Sequence, residues 1–126
     1  MNALDRELEQ LFLKLPTLNQ IGMALLEFTR AITKLNVEKR AGAYFFGFVG
    51  FSFPSNRETI RMHVNLEPDK VDARDSRWLP LESRDEFYIC DITSARQLGQ
   101  STRYIEYSYD KNVTARLLDS PYIIKN

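Results

Sequence analysis

The stretch from Thr59 to Leu66 constrains this chain most. Apolar residues stand at Ile60, Met62, Val64 and Leu66, and polar ones at Thr59, Arg61, His63 and Asn65. Side chains alternate across a strand, so this period of two specifies a half-buried β-strand with one wet face. Upstream, Ala43 to Phe53 is apolar almost without break and rich in aromatics, which suits a strand covered on both faces. Pro54-Ser55-Asn56 between them has the composition of a turn. The two runs read as an antiparallel hairpin at the centre of a small sheet.

Helical periodicity precedes the hairpin. Leu4, Leu8, Leu11, Phe12 and Leu15 share one helix face, with Asp5, Arg6, Glu7, Glu9 and Gln10 opposite. Pro16 ends that helix, because the residue before proline is pushed out of the α region. Thr17 is placed to cap a second helix running to about Leu35, with Ile21, Leu25, Phe28, Ile32 and Leu35 on one stripe. Asn36 to Gly42 is a polar breaker.

After the hairpin, a short helical turn is expected at Pro68-Asp69-Lys70-Val71. The remainder of Pro68 to Pro80 is irregular, with Asp69, Asp72, Arg74, Asp75 and Arg77 in no period. Phe87 to Ile92 reads as a third strand, and Thr93 to Gln100 as a polar connection with a glycine at 99. Arg103 to Tyr109 alternates again, with Ile105, Tyr107 and Tyr109 facing the core and Tyr104 away from it, and reads as a fourth strand. Asp110 then caps a short last helix carrying Val113, Leu117 and Leu118, stopped by Ser120-Pro121. The expected fold is α+β: two N-terminal helices on one face of a four-stranded, mainly antiparallel sheet, with a short C-terminal helix. Residues 1–126 form a single domain, 1–35 as the helical layer and 43–126 as the sheet and last helix; no linker or repeat divides them.

Composition narrows the function classes. The 17 Lys and Arg balance 17 Asp and Glu. Nucleic-acid binding gains its affinity from basic stripes that displace phosphate counterions, and this balance does not support one. No run approaches the ~18 apolar residues of a membrane span, and the N-terminus is acidic and amphipathic rather than a secretory signal. The expectation is a soluble, cytoplasmic protein without a membrane role. The single Cys90 cannot form an internal disulfide and, within Phe87-Tyr88-Ile89-Cys90, reads as a small buried hydrophobe.

The candidate motifs resolve toward structure. His63, the one histidine, falls on the polar face of its strand with no nucleophile beside it in sequence and no second metal ligand. Glu67, Asp69, Asp72 and Asp75 lack the spacing of a calcium loop and are interleaved with Lys70, Arg74 and Arg77. Pro68-Asp69 suggests a nuclease centre, but the required acid-x-lysine is missing: Asp72-Ala73-Arg74 and Glu82-Ser83-Arg84 end in arginine. Gly47 and Gly50 form no phosphate loop and suit a bulge or close packing in a strand. Trp78, Tyr88, Tyr104, Tyr107 and Tyr109 read mainly as core. No catalytic, cofactor-binding or metal-ligating set assembles, and no cofactor is implied.

From about residue 28 the order of features resembles an uncharacterised domain found mostly at the C-termini of predicted nucleases and restriction-linked proteins, sometimes labelled a predicted transport protein. The resemblance rests on a helix leading into paired strands, on Ile60 to Leu66 followed by Glu67-Pro68-Asp69-Lys70-Val71-Asp72, and on Asp91-Ile92-Thr93 with Gly99 before the closing elements. It implies an accessory module and transfers no catalytic residue.

The functional expectation is therefore a non-enzymatic interaction or accessory module in a defence or nucleic-acid-related setting, with a protein partner, or with nucleic acid as the partner the net charge does not favour. The alternative is a small-ligand-binding protein or enzyme with a pocket between sheet and helices. The Leu4/Leu8/Leu11/Leu15 stripe offers a route to a homodimer. Val64→Asp tests the strand register: it buries an unpaired charge and is expected to cost several kcal/mol in a denaturant melt, whereas an unchanged melt would place Val64 on the wet face.

Overall fold

The computed structural model describes residues 2–55, 58–71, 79–80 and 86–118. The fold is α+β. Helix α1 spans Ala3–Leu13 and α2 spans Asn19–Thr33. Strands β1 Glu38–Arg40, β2 Ala43–Phe46, β3 Val49–Ser52 and β4 Ile60–Asn65 follow, then a 3₁₀ turn at Pro68–Lys70. Strands β5 Leu79–Pro80 and β6 Phe87–Ile92 lead to a 3₁₀ turn at Ala95–Gln97 and helix α3 Leu98–Leu118. The strands form one sheet in the order β1-β2-β3-β4-β6-β5, and every neighbouring pair is antiparallel. Five of them carry the sheet and β5 is a two-residue edge.

The β4 alternation holds: Ile60, Met62 and Val64 are fully buried, and Arg61 and His63 are half-buried. Their core face packs with Tyr44, Phe46, Val49, Phe51, Cys90 and Ile92 beneath Leu8 and Phe12 of α1, Leu25 and Leu26 of α2, and Tyr104 and Ile105 of α3. All three helices thus lie on one face of the sheet.

Besides the cap of α2, four features differ from the sequence reading, each for an identifiable reason. Ala43 to Phe53 is two strands, not one: Phe46 pairs with Val49 across the two-residue turn Gly47-Phe48. Gly47 has φ 64, the left-handed value that a II′ hairpin turn reserves for glycine at its first position. The polar breaker Asn36 to Gly42 contains β1, whose Glu38-Lys39-Arg40 reads as loop because edge strands are often charged. It turns into β2 through Ala41 and Gly42, at φ 49 and 81.

Third, the expected fourth strand at Arg103 to Tyr109 is the interior of α3, and Asp110 lies within that helix. Between Leu98 and Lys111 its buried positions are Ser101, Tyr104, Ile105 and Ser108. These follow the helical period, but the two serines hide it from hydrophobicity. Tyr104 is 1% exposed and Tyr107 is 36% exposed, the reverse of the expected facing. Thr93 to Gln100 is more than a connection, because a capping box between Ser94 and Gln97 opens α3 there.

Fourth, α2 ends at Thr33, and its fully buried face is Gly22, Leu25, Leu26, Thr29 and Thr33; of the expected stripe Leu25 is buried, and Ile21 and Phe28 pack partly buried at the margin of the core. Thr29 and Thr33 each donate a hydroxyl to the carbonyl four residues back, at 2.7 and 2.8 Å. That bonding lets two polar residues face the core. The expected helices 1 and 3 otherwise keep their order, while Asp72, Arg74, Asp75, Arg77, Trp78, Glu82 to Arg84 and Ser120-Pro121 lie outside the described residues.

Thr17 does not cap α2 with its own side chain. The α2 N-cap position is Leu18, without a side-chain cap. Glu58, from the β3–β4 connection, takes over. Its carboxylate accepts from the Thr17 and Leu18 amides at 2.6 and 2.8 Å and from the Thr17 hydroxyl at 2.9 Å. Desolvation pushes the Glu58 pKa upward, but these hydrogen bonds outweigh it and hold the carboxyl below its usual value. A depressed folded pKa gives stability that is present above the unfolded value of about 4.3 and is lost as pH falls through the folded one. Glu58→Gln is therefore expected to lower the melting temperature at neutral pH, with the gap to wild type closing in acid below about pH 4. A gap that is constant with pH would remove the charge from this account.

Phe12 packs against Gly22, where an added Cβ would sit 2.4 Å from the nearest ring carbon. Alanine gains up to about 1 kcal/mol of helix propensity over glycine. Forcing a methyl into a packed core costs roughly 1–3 kcal/mol. Gly22→Ala is thus expected to lower stability, whereas Gly99→Ala on α3, which meets nothing within 4 Å, is expected to be neutral or stabilising. Chemical denaturation of the two variants checks the contrast.

Candidate functional site

The sheet face away from the helices carries the polar side of the strand alternation. Register places Ser52 of β3 opposite Arg61 of β4, and Arg61 opposite Asp91 of β6. Arg61 grips Asp91 through Nε at 2.7 Å and through a second guanidinium nitrogen at 3.1 Å. The hydrogen bond to Asp91 outweighs desolvation and holds Arg61 further into its charged range. Both side chains keep solvent access, 33% and 27%.

His63, two residues along β4, lies diagonal to Ser52, and Ser52 Oγ is 2.8 Å from His63 Nε2. The sequence reading gave His63 no nucleophilic neighbour; the fold supplies one from eleven residues away. Both residues sit on the wet face of their strands, so parity is the signal that links them, once the hairpin turn is placed between Phe53 and Thr59. The His63 ring stands edge-on to Phe45, with centroids 5.7 Å apart. Phe45 in turn covers Gly50, where a Cβ would fall 2.5 Å from the ring. Phe45, Phe87 and Ala43 make a small second apolar cluster with Phe48 against it, and the Arg40 guanidinium lies 4.5 Å over the Phe45 ring.

The helix layer carries a different kind of site. A cleft of about 440 Å³ opens between α2 and α3, lined by Ala31, Ile32, Lys34, Glu106, Tyr109 and Asp110. Ala31 and Ile32 come from the last turn of α2 and Lys34 is its left-handed C-cap, φ 52. Glu106 and Asp110 are four apart on α3 and therefore share one face. This cleft lies between helices. Between helices and sheet, Phe12, Phe46, Phe51, Leu25 and Tyr104 are each buried.

The other candidate residues fall as follows. Glu67 and Asp69 are exposed on and beside the 3₁₀ turn. Lys70 sits 5.7 Å over the Tyr107 ring. Cys90 is buried and accepts from Gln97 Nε2 at 3.6 Å. Leu8 and Phe12, the centre of the stripe that could seed a dimer, are buried inside the chain's own core. Among the described residues no group of three or more His, Cys, Asp or Glu is placed to hold a metal ion, and no helix is long and apolar enough to cross a membrane. No family model matches the chain, and neither does any curated protein or solved structure.

Proposed function

We propose that this chain is an interaction module that docks a protein partner through the cleft between α2 and α3. The observation that carries this reading is the lining of that cleft. An apolar floor of Ala31 and Ile32 meets a wall bearing Glu106, Tyr109 and Asp110, open to solvent. The C-terminal end of α2 adds the negative pole of a helix to the two carboxylates, against the single cation Lys34. The occupant that suits this chemistry is a basic side chain beside an apolar one on a partner protein. Nucleic acid suits it poorly, because phosphates would face two carboxylates. An accessory role in a defence or nucleic-acid-related system, as the family resemblance implies, fits a module that works through such a partner.

Amide NMR titration tests the reading. A short peptide alternating arginine and leucine is expected to shift the resonances of Ala31, Ile32, Lys34, Glu106, Tyr109 and Asp110 as a cluster, and the glutamate–leucine counterpart is not. Reversing both acids, Glu106→Lys with Asp110→Lys, is expected to abolish the shifts without changing the melting temperature, since both side chains are exposed. Scattered shifts, or equal response to both peptides, would overturn the assignment.

A further inference from the structure

The sheet face opposite the helices holds a second site, independent of the cleft. We propose that Ser52 and His63 form a nucleophile–base pair that reacts with small activated carboxylic esters.

The geometry is that of a hydroxyl held against an imidazole: Oγ to Nε2 is 2.8 Å, within the range in which a base takes up a nucleophile's proton. Two adjacent strands in fixed register set that distance, with Gly50 opposite His63 and Ser52 opposite Arg61. Rigid sheet positions are better platforms for such a pair than loops. The edge-on Phe45 ring limits the movement of the imidazole. Both residues are half-buried, so a small reagent can reach them. Arg61, the register partner of Ser52, is anchored by two hydrogen bonds to Asp91 on the next strand, which holds β4 and β6 in place behind the pair.

The reaction balances with water as the second reactant. In the tautomer protonated at Nδ1, His63 Nε2 takes the Ser52 hydroxyl proton as the Oγ–acyl carbon bond forms. The bond from that carbon to the leaving oxygen breaks, and the proton passes from Nε2 to the departing alcohol. Water then attacks the acyl-serine with His63 again taking the proton, which releases the acid and restores the Ser52 hydroxyl.

A structural serine–histidine contact would not make the hydroxyl reactive, and that separates the two possibilities. The folded full chain is treated with a biotinylated alkyl fluorophosphonate and the adduct is mapped by tandem mass spectrometry. The expected adduct is on Ser52, absent in Ser52→Ala. His63→Gln is expected to slow labelling by about 100-fold, the lower range for removal of a general base, with the melting temperature retained. His63 is the one histidine in the chain, so diethylpyrocarbonate offers a second measurement on folded wild-type protein. Carbethoxylation is expected to block labelling at Ser52, and hydroxylamine to restore it. No adduct at Ser52, an adduct on other serines instead, or a labelling rate unaffected by carbethoxylation would each overturn the proposal.

Discussion

Phe12 is where the helical layer, the second helix and the sheet meet. Its ring lies against the backbone of Gly22 on α2 and stands edge-to-face with Phe51 and Phe53, at centroid distances of 5.4 and 5.2 Å. A bulky aromatic can occupy that point only because position 22 offers no side chain. With the ring seated, α1 and α2 lie close enough for Arg30 to reach back to Asp5 and Glu9, the latter at 2.8 Å. The same contact bears on which face of α2 turns inward: Leu25 with Leu26, Thr29 and Thr33 is fully buried, while Ile21 and Phe28 are left at the margin of the core.

How far the sequence could be read depended on whether burial and hydrophobicity coincided. In β4 they do, and that strand was legible from its period; β6 was legible as an apolar run, and α1 from its helical period. They part in three places. Ser101 and Ser108 are buried at 1% and 0%; Ser101 bonds the Gln97 carbonyl, and Ser108 bonds the Phe48 carbonyl and accepts from the Asn65 amide. Counted as polar, they left Ile105, Tyr107 and Tyr109 to imitate a strand. The charged β1 looked like loop for the opposite reason. Continuous apolar sequence from Ala43 to Phe53 hid a turn whose only local mark was Gly47. The Ser52–His63 contact lies across the hairpin that the sequence did show, but it is a diagonal one, two residues off the direct pair Ser52–Arg61, and needs the exact register to be placed. The α2–α3 cleft was illegible in principle, because it depends on α3 being a helix.

The chain carries no net charge, and many described charges serve to tie separate elements together. Arg30 joins α2 to α1, Glu58 joins the β3–β4 connection to α2, Arg61 joins β4 to β6, and Lys111 joins α3 to Glu86 at the start of β6. Partners in these links are 21 to 41 residues apart in sequence. Ion pairs at half-exposed positions contribute little free energy each. Their effect is on geometry: they discriminate between ways of placing helices on a sheet that hydrophobic burial would treat as nearly equal. Arg61 anchors β4 to β6 while both it and Asp91 keep about a third of their side-chain surface in solvent, 33% and 27%.

The outer edge of the sheet has a bearing on how copies of this chain meet one another. Strand β1 offers only three residues, all charged. Lys39 leans over the Tyr44 ring at 5.1 Å, and Arg40 folds back to donate to the Gly47 carbonyl at 2.8 Å. An incoming strand would find too little backbone to pair with and would have to desolvate charges to reach it. Growth of the sheet from this side, by strand exchange or by fibre formation, is therefore disfavoured at the first step. A crowded solution of the protein is protected there by the same charges that made the strand invisible in the sequence.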